Sequence, residues 1–255
     1  MSHGLSIPLL ALLGLFGLVG GIGITAIGPG GVLPTIGLFA LTGLSPAEVA
    51  GTAIVTHIAT GALGTAAYTR SGQLREPDTR RTALLLAGTA VVGTPAGVLI
   101  NTAVSKRAFG LVLGIFVALV AGLVWYRERH RPAATRAHPS ARLVVPLGLA
   151  VAVAGGIVGI GGPMLTVPLL VAVGVPVLES LAAAQLQSIV IAGVGTLGYV
   201  VSGAIDWPLA ALVGIPELAG VLLGWKIAQA LPTHSLKYAL IITLLAVAPY
   251  LALHG

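Results

Sequence analysis

Four polar side chains, His57, Gln185, Gln187 and Ser188, sit inside long apolar runs, where placing such groups costs free energy and calls for a reason. His57 lies in "GTAIVTHIATGALG", with Thr52, Thr56 and Thr60 recurring every four residues beside it. Hydroxyl, amide and imidazole N–H groups all donate to oxyanion oxygens. A set of such donors holds an anion without a full positive charge, which suits a carrier that must also release it. The structural alternative is that the threonines bond their own i−4 carbonyls and His57 serves a neighbouring helix. Ser188 and His57 also allow a different chemistry, nucleophile and base of an intramembrane serine hydrolase, if the fold brings them together.

The ionisable residues at depth divide by local context. Glu48 follows Ser45-Pro46, the signature of a capping box, and is read as structural. Glu179 lacks that serine partner, and Glu217 sits beside Pro216 within an apolar run. His57, Glu217 and Glu179 are therefore the candidates for carrying a coupling proton, with a rim position on a tilted helix as the alternative for Glu217. Lys226 is near enough to a helix end to snorkel, and Asp206-Trp207 reads as an interfacial anchor and helix start.

Two glycine-rich stretches raise a second kind of chemistry: "GPGGVLPTIGLF" (28–39) and "GIGGPMLTVPLL" (159–170). A helix broken inside lipid leaves backbone groups unpaired, at several kcal/mol each, unless protein or water supplies partners. Pro163 stands where a new helix would begin. The helix start that follows each break aims free N–H groups and a partial positive charge at whatever occupies the space, which favours an anion. Gly30, Gly31, Gly161 and Gly162 join Thr56, His57, Gln185, Gln187 and Ser188 as candidate substrate-binding residues. Tight helix packing is the bland alternative for the glycines. A dinucleotide fingerprint is excluded because no strand precedes the glycines, and no GxxxxGK[ST] loop for ATP is present.

The elements that must position these groups are membrane helices. Of 255 residues, 56% are hydrophobic and 8% charged, against about 25% charged in soluble domains, and mean hydropathy is +1.04. Apolar runs of about 20 residues recur along the chain, long enough for a bilayer core. No strict polar–apolar alternation suggests a barrel. Ten apolar segments are expected, at 5–27, 31–43, 46–69, 82–103, 106–126, 143–160, 163–174, 177–203, 208–231 and 234–253. Eight are long enough to cross; the second and seventh are short, and either re-enter or cross. The first is read as a retained span rather than a secretory signal, because no basic stretch precedes it. The chain has no cysteine, so disulfides and thiolate metal sites are excluded. The net charge of +6 is explained by arginine-rich loops that orient the protein, not by nucleic acid. Those loops, holding Arg70, Arg75, Arg80, Arg81 and Arg127, Arg129, Arg131, Arg136, Arg142, are expected on the cytoplasmic face.

A gapless offset of 131, which sets Gly28 on Gly159, superimposes the two halves. It pairs Gly30 and Gly31 with Gly161 and Gly162, Thr35 with Thr166, Glu48 with Glu179, Tyr68 with Tyr199 and Pro77 with Pro208. It also sets Thr56-His57 on Gln187-Ser188. The expected organisation is an all-α polytopic protein with a first transmembrane repeat at 1–127, a cytoplasmic basic loop at 128–141 and a second repeat at 142–255. Such duplication is common among secondary transporters. If the short segments cross, the repeats are inverted, and Lys226 and Lys237 fall nearer the cytoplasm; if they re-enter, the repeats are parallel.

The Gly-rich break with its Pro and "VPLL", the run "GLSPAEVAGTA" (43–53) and the run "YVVSGAIDW" (199–207) resemble the TauE/SafE family of sulfite exporters over nearly the whole chain. In the first half, Gly28-Pro29-Gly30-Gly31 departs from the family's glycine run, and "SGQLREP" replaces its G-x-IDW element. The resemblance implies a multi-pass permease of the bacterial inner membrane for sulfite, a sulfonate or a related sulfur-containing or organic anion. No enzyme activity, catalytic residue, metal or cofactor is expected. The expected partners are the small anion, the lipid bilayer, a proton as coupling ion and, as a further option, a second copy of the chain. An anion channel and the serine hydrolase are the competing functions.

Overall fold

The computed structural model describes residues 6–130 and 139–230. Among them all regular structure is helical, in nine α-helices and two single 3-10 turns. The helices are α1 (Ile7–Ala26), α2 (Val32–Leu41), α3 (Pro46–Arg70), α4 (Pro77–Thr102) and α5 (Lys106–His130), then α6 (Ala141–Val158), α7 (Pro163–Ala172), α8 (Val177–Val201) and α9 (Trp207–Ala230). All but α2 and α7 are long and apolar enough to cross a membrane. The tenth expected segment, 234–253, and most of the basic loop at 128–141 lie outside the described residues.

Local chemistry sets the boundaries. Ser45 and Glu48 form both bonds of a capping box at the start of α3: the Ser45 hydroxyl accepts from Glu48 N–H, and the Glu48 carboxylate accepts from Ser45 N–H at 2.8 Å. Asp206 caps α9 by accepting from Leu209 N–H at 3.0 Å. Proline stands at the first turn of α1, α3, α4 and α7, where its missing N–H costs nothing. α4 begins five residues ahead of the expected apolar run, because hydropathy marks the lipid-facing stretch and not the polar first turn of Asp78, Arg80 and Arg81.

Side-chain neighbours fix the helix directions. α2 doubles back along α1: Gly23 abuts Gly30, Gly20 abuts Pro34, and Gly37 abuts Phe16. α1 and α9 run parallel, with Gly17 against Val213, Gly21 against Glu217, and the Thr25 hydroxyl donating to Val221 O at 2.8 Å. α4 and α6 also run parallel, with Gly93 against Ala152, Gly97 against Gly156, and Asn101 donating to Ile157 O at 2.6 Å. α3 and α8 cross antiparallel at the centre, where Gly51 meets Tyr199, Ile54 meets Gly195 and Gly64 meets Gln185. The C-terminal ends of α3 and α9 therefore reach the same face, and the α4–α5 turn reaches the other. Without a hydrophobic drive between helices in lipid, these close glycine contacts supply the packing.

Two buried tyrosines repeat one bond. Tyr68 donates to Thr25 O at 2.6 Å and Tyr199 to Gly156 O at 2.7 Å, each across 43 residues. Each ties the end of a long helix to the last turns of the helix that precedes a break.

Candidate functional site: a void where two chain breaks meet

Both breaks require backbone that only glycine adopts readily. Gly28 has φ 101° at the first, and Gly159 has φ 76° where it ends α6 in the left-handed region. The two breaks touch: Gly28 lies against Pro163 and Val167, and the Thr35 hydroxyl donates to Gly159 O at 3.3 Å. α7 then starts at Pro163, and the N–H groups of Met164 and Leu165 have no carbonyl within the helix to bond.

A narrow void of about 160 Å³, without room for a water molecule and lined by buried residues, lies where the breaks meet. Its lining includes Gly28 and Gly31 from the first break, Gly161 and Pro163 from the second, and the side chains of His57 and Ser188. Counted from Pro46 and Val177, His57 and Ser188 are each the twelfth residue of a 25-residue helix, which puts the void near mid-depth. Wider grooves at the surface, one beside Arg75, Arg80 and Arg81 and one along Ile115, Leu119, Tyr126 and Leu165, do not reach the glycines of the breaks.

The main feature beside the void is a close buried contact between His57 and Glu217. His57 Nδ1 lies 3.2 Å from Glu217 Oε1, and the two side chains are 1% and 0% exposed. Neither Glu217 oxygen nor His57 Nε2 has an aligned hydrogen-bond partner. The ring edge of His57 faces the first break, since a Cβ on Gly31 would stand 3.4 Å from His57 Cε1. Glu217 is thus fully buried rather than at a rim.

Of the nine candidate binding residues, Gly31, His57, Gly161 and Ser188 line the void. Gly161 brings its backbone so close to the Ser188 hydroxyl that a Cβ there would collide with it. The other five do not line it. Gly30 packs on Gly23, and Gly162 packs on Gln187 and the Ala184 carbonyl. Thr56 donates to Ala53 O at 2.9 Å, so its hydroxyl is used within its own helix, as is that of Thr60 on Thr56 O. Gln187 bridges three elements, accepting from the Thr166 hydroxyl at 2.5 Å and donating to Gly148 O at 3.3 Å. Gln185 donates to Ile24 O at 3.3 Å, leaving its Oε1 unpartnered beside Gly64. Glu179 lies in the first turn of α8, more than two turns from Ser188. Sequence reasoning missed Ile24, Gly28, Pro163 and Met164 as lining residues; the glycine run that contains Gly28, and the helix start read at Pro163, were the available signals. Among the described residues no three His, Asp or Glu side chains converge to hold a metal ion.

The comparisons agree with this architecture. Over 224 residues the chain is 25% identical to the "Probable membrane transporter protein YdhB" of Bacillus subtilis (strain 168), covering 85% of this chain and 89% of that one. Over 93 residues it is 33% identical to the "Probable membrane transporter protein ORF9" of a Sinorhizobium species, covering 36% of each. No solved structure matches. Residues 13–251 match the family described as "Sulfite exporter TauE/SafE", and with nearly the whole chain inside that match, this multi-pass membrane transporter belongs to the TauE/SafE family.

Proposed function

We propose that the chain is a secondary transporter of a small sulfur oxyanion or sulfonate, sulfite foremost, and that the anion binds between two inverted repeats where the chain breaks meet. The observation that carries this reading is the mid-depth void shared by Gly28, Gly31, Gly161 and Pro163 with His57 and Ser188. The donors there are the Ser188 hydroxyl, the His57 N–H and the free backbone N–H groups at the start of α7. Together they suit three oxygens on a sulfur centre.

Inverted repeats are supported by direction and by packing. The antiparallel crossing of α3 with α8, positions related by the offset of 131, is what a two-fold axis in the membrane plane requires. The same axis exchanges the α1–α9 and α6–α4 pairs and the Tyr68 and Tyr199 bonds. Each short segment runs back beside the helix before its break, so α3 starts on the face where α1 starts, and an odd number of full passages separates the two repeats. In this topology Lys226 shares a face with Arg70, Arg75, Arg80 and Arg81, which the positive-inside rule makes cytoplasmic. The residues that line the void are buried and leave no room for a water molecule, so loading requires the repeats to part on one side, as alternating access demands.

The test is purified protein in liposomes, loaded in turn with sulfite, methanesulfonate, acetate and chloride. Saturable flux of sulfite or the sulfonate, with stabilisation of the detergent-solubilised protein by the same anions, supports the proposal. Step-like single-channel currents would favour the channel. Labelling of Ser188 by a fluorophosphonate would favour the hydrolase, which the shared lining of Ser188 and His57 keeps in view. Transport unchanged in the His57→Gln and Ser188→Ala variants would remove the site but not the class.

A further inference from the structure

We propose that the His57–Glu217 pair is the carrier's proton site, and that it takes up one proton with each anion so that the loaded site has no net charge. This rests on the transport reading above and names its coupling. The geometry points to it first: the pair is a buried contact at 3.2 Å, next to the void, with His57 itself in the lining. His57 Nε2 is buried and unpartnered beside the break, where an anion would receive it.

The second argument is charge accounting. A net charge fixed at mid-depth is costly, so the empty pair holds one proton, as imidazolium with carboxylate or as imidazole with carboxylic acid. Each arrangement is neutral. A monoanion such as a sulfonate or hydrogensulfite entering the void adds one negative charge, and among the described residues no other charged group lines the void. Among the described residues, α1, α2 and α7 carry no charged or titratable side chain. On α3, Glu48 is held in its capping box, Tyr68 is bonded to Thr25 O, and Arg70 is the last residue. On α8, Glu179 is in the first turn and Tyr199 is bonded to Gly156 O. On α9, Lys226 is exposed near the end. On α4, which packs against α8, Asp78, Arg80 and Arg81 stand in the first turns. A second proton on the pair, giving imidazolium and carboxylic acid together, restores neutrality, and it leaves with the anion. Exchange of an anion for a proton would instead leave two negative charges on three groups.

The stoichiometry follows from the offset of 131. It places Ser188 at the register of His57 and Leu86 at that of Glu217, so the symmetry-related place between the repeats carries no second such pair. One proton site predicts one proton per anion.

The experiment uses methanesulfonate, which stays ionised across neutral pH so that no proton rides on the substrate, in liposomes with the potential clamped by valinomycin and potassium. The expected result is tenfold accumulation per pH unit of imposed gradient at zero potential, none from a potential alone, and one proton counted per anion with an internal pH dye. In detergent, binding by calorimetry in buffers of different ionisation enthalpy should show uptake of one proton, and apparent affinity should weaken tenfold per pH unit on the alkaline side. Glu217→Gln should abolish accumulation driven by the pH gradient. Accumulation driven by potential with no proton movement overturns the proposal and leaves the transport reading standing, as does a Glu217→Gln variant with wild-type response to the pH gradient. Failure of methanesulfonate and sulfite to move or bind under any gradient overturns the transport reading, and this proposal with it.

Discussion

Adding one methyl group at Gly161 separates the cost of the fold from the cost of the site. A Cβ there meets the Ser188 hydroxyl first, then Ser188 Cβ at 3.3 Å and Pro163 Cδ at 3.5 Å. The only severe collision is with the tip of a small side chain, which can turn away at about 1 kcal/mol. Gly161→Ala should therefore fold. The displaced serine hydroxyl and the methyl both intrude on the void, so the anion loses at least one hydrogen bond, worth about 1.5–3 kcal/mol to a charged acceptor. That is roughly a 10- to 100-fold rise in Kd. Gly159→Ala is the contrast. Its φ of 76° costs an L-residue about 1–2 kcal/mol, and its Cβ would strike the Ala50 backbone, adding about 1–3 kcal/mol of overpacking. Thermal unfolding in detergent, with and without sulfite, reads both quantities on one sample. Gly161→Ala/Ser188→Ala should recover stability, because the collision is gone, yet not affinity, because the donor is gone. Wild-type affinity in a folded Gly161→Ala protein, or equal stability of the two single variants, would refute the reasoning.

Tyr68→Phe and Tyr199→Phe should each lose about 1 kcal/mol in chemical denaturation, by similar amounts, because each removes one buried bond to a backbone carbonyl. Gln187→Ala should lower the unfolding temperature while leaving anion affinity of the folded protein within about twofold, a result opposite to that expected of a ligand. The chain has no native cysteine, so Glu76→Cys, Ala103→Cys and Gln229→Cys can be labelled singly with an impermeant maleimide. Glu76 and Gln229 positions should react from one side of the membrane and Ala103 from the other; opposite-side labelling of the first two would exclude inverted repeats. Ser45→Ala should cost about 1 kcal/mol through loss of the α3 cap.

The helices were legible because lipid imposes a coarse rule: long apolar runs, capped where polar residues return. The capping box at Ser45, Pro163 and Asp206 each mark a boundary the structure has. The partners of the polar residues were not legible in the same way. His57 and Glu217 are 160 positions apart on different helices, and no local periodicity records a contact made across a bundle. The register of the two halves could not pair them either, since Leu86 occupies the position matching Glu217. The same register aligned Thr56-His57 with Gln187-Ser188, and these stand at equal positions along α3 and α8, yet adjacent helical residues point about 100° apart. One member of each pair faces the void, while Gln187 turns to Thr166 and Thr56 to its own backbone. Depth can be read by counting along a helix; azimuth depends on which neighbours surround it.

The crossed packing bears on how the protein is made. α1 leaves the ribosome well before the helix its glycine ridge fits, since α9 follows about 200 residues later. Until then Gly17 and Gly21 have only lipid to touch, and α6 is likewise the belated mate of α4. Neither half is a self-sufficient folding unit: insertion of one precedes its completion by the other, and a truncated nascent chain exposes bare glycine grooves to quality-control proteases. Two half-length chains made together should clasp into a working whole, whereas either made alone should be degraded.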